Sequence, residues 1–388
     1  MEKSNKVPFE EALKMTGFGK FNYVTLFVSI LIILSVVFEI YSVSYVVPTS
    51  ACDLQTTVYQ QGLIASIPMA GIIISSNLWG YLADTRGRRK VVIWSLLMSF
   101  CSSTLACLSP NWIFLFVFKF ISSSALAGTY PLGLTFLSEF TPEHKRPSLV
   151  SMIGTVFTVA FGLIGILSIP VSKLNFSYYV PFLNINLVPW RLLNFLITVP
   201  AALAALATYF TYETPKYLLS CGQEEEALEV LRRMFEINTG KGRDEYKVYS
   251  LTLDESRSEF SKDFWGSIKS QTSPLFKAPL LKNILMISFL FIIVYFVTNP
   301  FYVWLPVVAD AIVQAFNRGE NGLTLCETLR LSLNNTAAEM ISGLTGLCIN
   351  FSTHWVWNGI LFIFFLMGML NFGFLCTFSV DMFPTYVK

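Results

Sequence analysis

The chain has 388 residues, of which 54% are hydrophobic, 15% aromatic and only 13% charged, with a mean hydropathy of +0.57. No soluble domain of this length needs that much apolar residue to fill a core, so the composition excludes a soluble enzyme and describes a polytopic helical membrane protein. A net charge of +2 makes no case for nucleic acid.

Residues 1–20 are polar and carry Lys3, Lys6, Lys14 and Lys20. The first apolar run starts near Phe21, after this charged lead, and is long enough to span, so no cleavable signal peptide is expected. Apolar segments of spanning length cover 21–47, 59–82, 91–109, 112–137, 149–171, 190–211, 283–308 and 355–379. A bilayer core about 30 Å thick needs about 20 helical residues, so each segment is able to cross. With the N-terminus inside, Lys173, Arg191, Arg318 and Arg330 fall outside, Lys119 falls within a span, and every other Lys and Arg lies on the inner side. The N-x-Ser/Thr sequons at Asn175, Asn334 and Asn350 then all face outward, as glycosylation requires. Trp112, Trp190, Trp304, Trp355 and Trp357 sit near outward span ends and are expected to form an interfacial belt.

The expected domains are a cytoplasmic N-terminus (1–20), a six-span bundle (21–211), a cytoplasmic segment (212–282) and a second membrane region (283–388) containing an outward loop at 309–354. Within 212–282, residues Glu224–Phe235 place Ala227, Leu228, Leu231, Met234 and Phe235 on one helical face. Acids at its start and arginines at its end suit the helix dipole. The helix is expected to lie against the inner face of the bundle, and the remainder of the segment reads as a linker. Cys101, Cys107, Cys376 and Cys221 are expected to be free, whereas Cys52, Cys326 and Cys348 face the oxidising side. A Cys326–Cys348 bridge fits that side; free thiols are the alternative.

The stretch Gly80-Tyr-Leu-Ala-Asp84-Thr-Arg86-Gly87-Arg88-Arg89-Lys90, between two apolar runs, resembles the loop joining the second and third spans of major facilitator superfamily transporters. Further stretches resemble the branch of synaptic vesicle glycoprotein 2 and the organic ion transporters. They are Glu39-Ile-Tyr-Ser-Val-Ser-Tyr-Val-Val-Pro48 with Asp53, Ser138–Arg146, Trp190-Arg191, Tyr212–Leu219 with Gly222 and Glu226-Ala227-Leu228, and Tyr302–Pro306. The spacing of Glu139, Pro142 and Arg146 also recurs as Asp381, Pro384 and Lys388, and the superfamily is built from two related halves. The resemblance therefore implies an all-α membrane bundle of major facilitator type, with a complete N-terminal six-helix half and a shortened, incomplete C-terminal half.

The function so implied is a secondary carrier of a small organic solute, such as an organic ion, working by alternating access in the plasma membrane or a vesicle membrane. The alternatives are a non-transporting relative of the synaptic vesicle glycoproteins and a truncated form of a twelve-span carrier. The implied partners are the lipid bilayer, the solute and a coupling proton, together with a second copy of the chain if the short form is genuine. There is no phosphate-binding glycine loop, His144 and His354 lie in different compartments, and neither enzyme activity, metal nor cofactor is expected.

Glu39 is the sharpest candidate for the path, because a carboxyl within a span normally faces the bundle interior or a water-filled cavity. The other reading is an acid turned towards outward water. Lys119 stands where the family usually has Arg, and Ser123 where it has Gly. Lys119 is either a cation on the path or a side chain snorkelling to an interface. Asn77 and Ser123, with Ser122 and Ser124, are candidate path-lining groups. The motif residues Gly80, Asp84, Arg86, Gly87, Arg88 and Arg89 are conformational by resemblance, or merely orient the hairpin. Glu139 with Arg146 and Glu213 with Lys216 are expected as ion pairs on the same side. Gly128, Gly133, Gly154, Gly162 and Gly165 are expected to permit close helix packing.

Overall fold

The computed structural model describes residues 6–181, 184–252, 266, 273–277 and 281–293. The expected seventh span is described only as a helix over Leu281–Ile293, and the eighth span lies outside the described residues, as do Cys326, Cys348, Asn334, Asn350, Trp304, Trp355 and Trp357.

Among the described residues, six helical segments are long and apolar enough to cross a membrane. A short strand β1 (Val7–Pro8) and helix α1 (Phe9–Met15) precede them. The spans are α2 (Lys20–Leu54), α3 (Val58–Arg86), α4 (Arg88–Cys107), the pair α5 (Trp112–Leu126) and α6 (Thr129–Glu139), then α7 (Arg146–Ser172). A hairpin of β2 (Tyr178–Val180) and β3 (Ile185–Leu187) leads into the last of them, α8 (Pro189–Tyr209). Beyond it come α9 (Pro215–Ser220), α10 (Glu224–Thr239) and β4 (Leu251–Thr252).

Local chemistry sets the boundaries. Thr57 Oγ1 accepts from the Gln60 amide while Gln60 Oε1 accepts from the Thr57 amide at 2.9 Å, which starts α3. Asn111 Oδ1 accepts from the Phe114 amide at 2.9 Å and starts α5. Gly87 alone separates α3 from α4, at φ +96°, and a Cβ there would meet Glu213 Oε2 at 2.6 Å. The first span runs past the expected end to Leu54, carrying Pro48 within it. The expected fourth span is one membrane passage in two helices, broken at Ala127–Gly128. A Cβ on Gly128 would stand 2.3 Å from Trp79 Cβ, so only glycine lets α3 come this close.

Helix α2 packs against α8, α7, α6, α3 and α5, so it is the central column; α4 packs on α8 and α5, and α3 on α5. Hydroxyls stitch the contacts. Ser95 meets Thr129 at 2.9 Å, Ser99 meets Ser122 at 2.8 Å, and Ser124 O accepts from both Ser75 Oγ and Trp79 Nε1. Helix α3 is the least enclosed span, with Ile73 and Ile74 largely exposed.

At the end carrying Arg86–Lys90 and Arg146, here called the basic end, the chain folds into more than the expected linker. Helix α10 buries Ala227, Leu228, Val230, Leu231 and Met234 in a cluster with Phe9, Leu13 and Phe21. Asn238 Oδ1 accepts from the Phe21 amide at 3.0 Å, and its Nδ2 donates to Thr16 O, Gly17 O and Asn22 Oδ1. Strands β1 and β4 pair in parallel, Val7 opposite Leu251, and the buried Tyr246 hydroxyl donates to Ala12 O at 2.8 Å. Burial pushes the Tyr246 phenol up, which keeps it a donor.

Candidate functional site

The residues singled out in the first and fourth spans meet. Lys119 of α5 is fully buried and Glu39 of α2 is 3% exposed, with Lys119 Nζ 3.1 Å from Glu39 Oε1. Lys119 Nζ also donates to Ser42 Oγ at 2.9 Å and to Ser103 Oγ at 3.3 Å. Ser103 Oγ donates to Glu39 Oε2 at 2.9 Å, and Ser42 Oγ to Glu39 O at 2.7 Å. Three helices thus converge on one ion pair. Taking two charges out of water costs several kcal/mol per ion, and the ring of hydroxyls is what makes the burial tolerable. Neither alternative for these residues holds: Glu39 does not face outward water, and Lys119 does not snorkel.

Ser42, Ser103 and Asn194 were missed in the sequence. Asn194 of α8 is fully buried; its Nδ2 donates to Ser103 O and Cys107 Sγ, both at 3.1 Å. A signal existed, namely an amide and a serine in otherwise apolar spans. The other candidates are not part of this site. Ser123 Oγ bonds back to Lys119 O at 2.8 Å, within its own helix, and Asn77 is exposed on α3.

A second cluster closes the end opposite the basic one. Asp53 Oδ2 accepts from Arg191 Nη2 at 2.9 Å and from Trp190 Nε1 at 3.1 Å, while Arg191 Nη1 donates to Cys107 O and Ser109 O. Trp190 is buried, so it is no belt residue: its indole is held by Asp53, and the Arg191 guanidinium lies over its ring. Arg191 is likewise buried, in the first turn of α8. Trp112 is half-buried against the same end of the bundle. A cavity of about 570 Å³ opens here, lined by Tyr45, Thr49, Asp53, Ser168, Trp190 and Leu193. Exposed Asn175 lies in the loop before β2.

At the basic end the motif residues assemble, and Glu139 and Arg146 take different partners from those expected. Glu139 pairs with Arg88, and Arg146 instead clasps both carboxylate oxygens of Glu10 at 2.8 and 2.9 Å while donating to Ser138 O and Thr141 O. Arg146 takes this partner because the N-terminal segment folds under the bundle and brings Glu10 to it. Glu213 accepts from the Arg89 amide at 2.9 Å, and Arg89 reaches Thr208 O and Tyr209 O. Asp84 and Lys216 are half-buried, Arg86 is exposed, and Gly80 faces open space. Cys52, Cys101, Cys107 and Cys221 are free thiols.

Six spans around a central first helix, a buried charge pair between the first and fourth spans, and a basic charge network at one end define a multi-pass membrane protein of major facilitator architecture. The inward-open xylose transporter XylE of E. coli shares the fold, with a TM-score of 0.54 at 17% identity over 78% of this chain and 70% of that one. The chain matches the family described as "Sugar (and other) transporter" over residues 14–308 and belongs to it. Its relatives include rat synaptic vesicle glycoprotein 2B, 26% identical over 71% of this chain and 40% of that protein. Rat solute carrier family 22 member 6 is 31% identical over 58% and 37%. The organic cation/carnitine transporter 7 of Arabidopsis thaliana is 29% identical over 59% and 43%. The chain thus spans about two fifths of the length of these relatives.

Proposed function

We propose that this chain works in a secondary carrier that moves a small organic solute, of the organic ion class, by alternating access coupled to protons, with its N-terminus on the cytoplasmic side of a plasma or vesicle membrane. The observation that carries the reading is the Glu39–Lys119 pair, sealed between two spans. A carboxylate held by a buried ammonium changes the forces between its helices when it takes up a proton: the neutral acid no longer attracts Lys119, and α2 and α5 are free to shift. Family membership and the names of relatives that carry organic ions support the solute class. The motif residues of the basic end, which tie α4 to the start of α9 and α7 to the N-terminal segment, fit a latch for one of the two states.

The test is uptake of a labelled organic-ion panel into proteoliposomes under an imposed proton gradient, comparing the full chain with Glu39→Gln. Gradient-dependent uptake that collapses in the variant is the expected result. Well-folded protein that takes up nothing from the panel refutes the carrier and leaves the non-transporting relative, a reading favoured by the match to synaptic vesicle glycoprotein 2B.

A further inference from the structure

We propose that Ser103, tied to α8 by Asn194, is the positioning residue that sets the pH at which the Glu39–Lys119 pair opens. The inference rests on the reading of Glu39 as the proton acceptor and names the group that tunes it.

The hydrogen bonds have only one consistent assignment. An ammonium donates and never accepts, so Ser103 Oγ must accept from Lys119 Nζ at 3.3 Å. Its single hydrogen is therefore left for Glu39 Oε2 at 2.9 Å. Ser103 thus bridges the pair, receiving from the cation and giving to the anion, and both contacts favour the charged state over the neutral one. Once Glu39 carries a proton, its oxygens still accept, but the Ser103 contact falls from a charge-assisted hydrogen bond to a weaker neutral one. Ser42 differs. Its hydrogen goes to Glu39 O, on the backbone, so it holds Lys119 without addressing the carboxylate.

The backbone of Ser103 is fixed as well. Ser103 O accepts from Asn194 Nδ2 at 3.1 Å and from Cys107 Sγ at 3.3 Å, so α8 holds this turn of α4 against α2. Asn194 is itself fully buried, and among the described residues its Oδ1 has no hydrogen-bond partner. An amide kept in an apolar span with half its bonding capacity unused is costly, and apolar packing would serve a purely structural contact better. The ionisable groups on the elements around Glu39 are Lys119 of α5, Cys107 of α4 and, beyond it, Arg191 of α8. Tyr41 lies on its own helix and Tyr130 on α6, while α3 and α7 pack Ile64, Phe157 and Phe161 onto α2. Lys119 and the neutral Ser103 both donate to the Glu39 carboxylate.

The experiment is an infrared pH titration of the purified full chain in lipid nanodiscs. It follows the carbonyl band of the protonated acid, assigned to Glu39 by its loss in Glu39→Gln. Ser103→Ala, a small-to-smaller change, is expected to move the band's midpoint up by about one pH unit, because a hydrogen bond to the charged form is gone. Ser103→Thr, which keeps the hydroxyl, is expected to titrate with the parent. A merely structural role for Ser103 would lower the melting temperature and leave the midpoint in place, and that result overturns the proposal. Absence of any Glu39-dependent band in the parent overturns the proton-acceptor reading itself, and this inference with it. A parent band that titrates while Ser103→Ala leaves it unmoved overturns the inference alone.

Discussion

Lys119 shows what a single residue does in this fold. It is fully buried, yet its ammonium has three oxygen acceptors, drawn from α2 and α4. Removing one member of such a pair leaves the other buried and uncompensated, which costs about 3–5 kcal/mol, whereas replacing both by apolar groups of similar shape is often near neutral. Lys119→Met is therefore expected to lower the melting temperature of the purified protein sharply. The double variant Glu39→Met/Lys119→Met is expected to recover most of the loss. Melting curves in one detergent check this, and a double variant as unstable as the single would show that the pair is not what costs the single its stability. Both residues were legible in the sequence, because a charge within a span is rare enough to stand out. Their meeting was not. They are 80 positions apart, and the pairing depends on the depth and rotation of two separate helices, which hydropathy does not encode.

Elements show the same division between what spacing fixes and what rotation decides. The apolar face of α10 was legible at a period of 3.6: Ala227, Leu228, Leu231 and Met234 are buried as expected, while Val230 joins them and Phe235 is only partly buried. Which glycines pack closely was not. A Cβ on Gly128 would strike Trp79 and one on Gly133 would press on Ile32, but Gly162 has nothing within 4 Å. Gly71, which had drawn no attention, lies where a Cβ would meet Ser123 Oγ at 2.5 Å. The joining of α10 to the N-terminal strand was equally hidden, since two-residue strands leave no pattern. At that joint, Glu224 accepts from the Leu251 amide at 2.7 Å and from Ser250 Oγ at 2.9 Å, and these donors hold its carboxyl below the usual glutamate range. A depressed carboxyl stabilises the fold above its unfolded value, and the contribution disappears as pH falls through the folded value. Acidification should therefore loosen β4 before it disturbs the spans. The protection factor of the Leu251 amide (its exchange rate corrected for the intrinsic pH dependence of amide exchange) is expected to fall on going from neutral to acid, and to lose most of that dependence in Glu224→Gln. Because Glu224 is only half-buried the effect is local, and a change in global melting with pH of the same size in both proteins would speak against it.

For the whole molecule, the six membrane segments and the superfamily were readable because length, hydropathy and a basic turn are properties of the chain itself. The closure of both ends was not readable, because it uses contacts between segments far apart: Asp53 with Arg191 at one end, Glu10 with Arg146 at the other. The two ends also differ in the way that orientation demands. Among the described residues, Arg86, Arg88, Arg89, Lys90, Lys145 and Arg146 gather at one end, while the other carries exposed Lys173 and keeps Arg191 buried and neutralised by Asp53. By the positive-inside rule the basic end is expected in the cytoplasm, which is a prediction to be tested. Two native thiols report on this directly, since Cys52 is exposed at the Asp53 end and Cys221 is exposed beyond α9 at the basic end. In a background with the remaining cysteines changed to serine, a membrane-impermeant maleimide applied to intact cells is expected to label Cys52 and spare Cys221. Cys221 should react only after permeabilisation, and Cys52→Ser should abolish the signal from intact cells. The opposite pattern would turn the protein over in the membrane. It would place the Arg88–Glu139 network and the α10 platform outside, where the positive-inside argument for a cytoplasmic latch no longer applies.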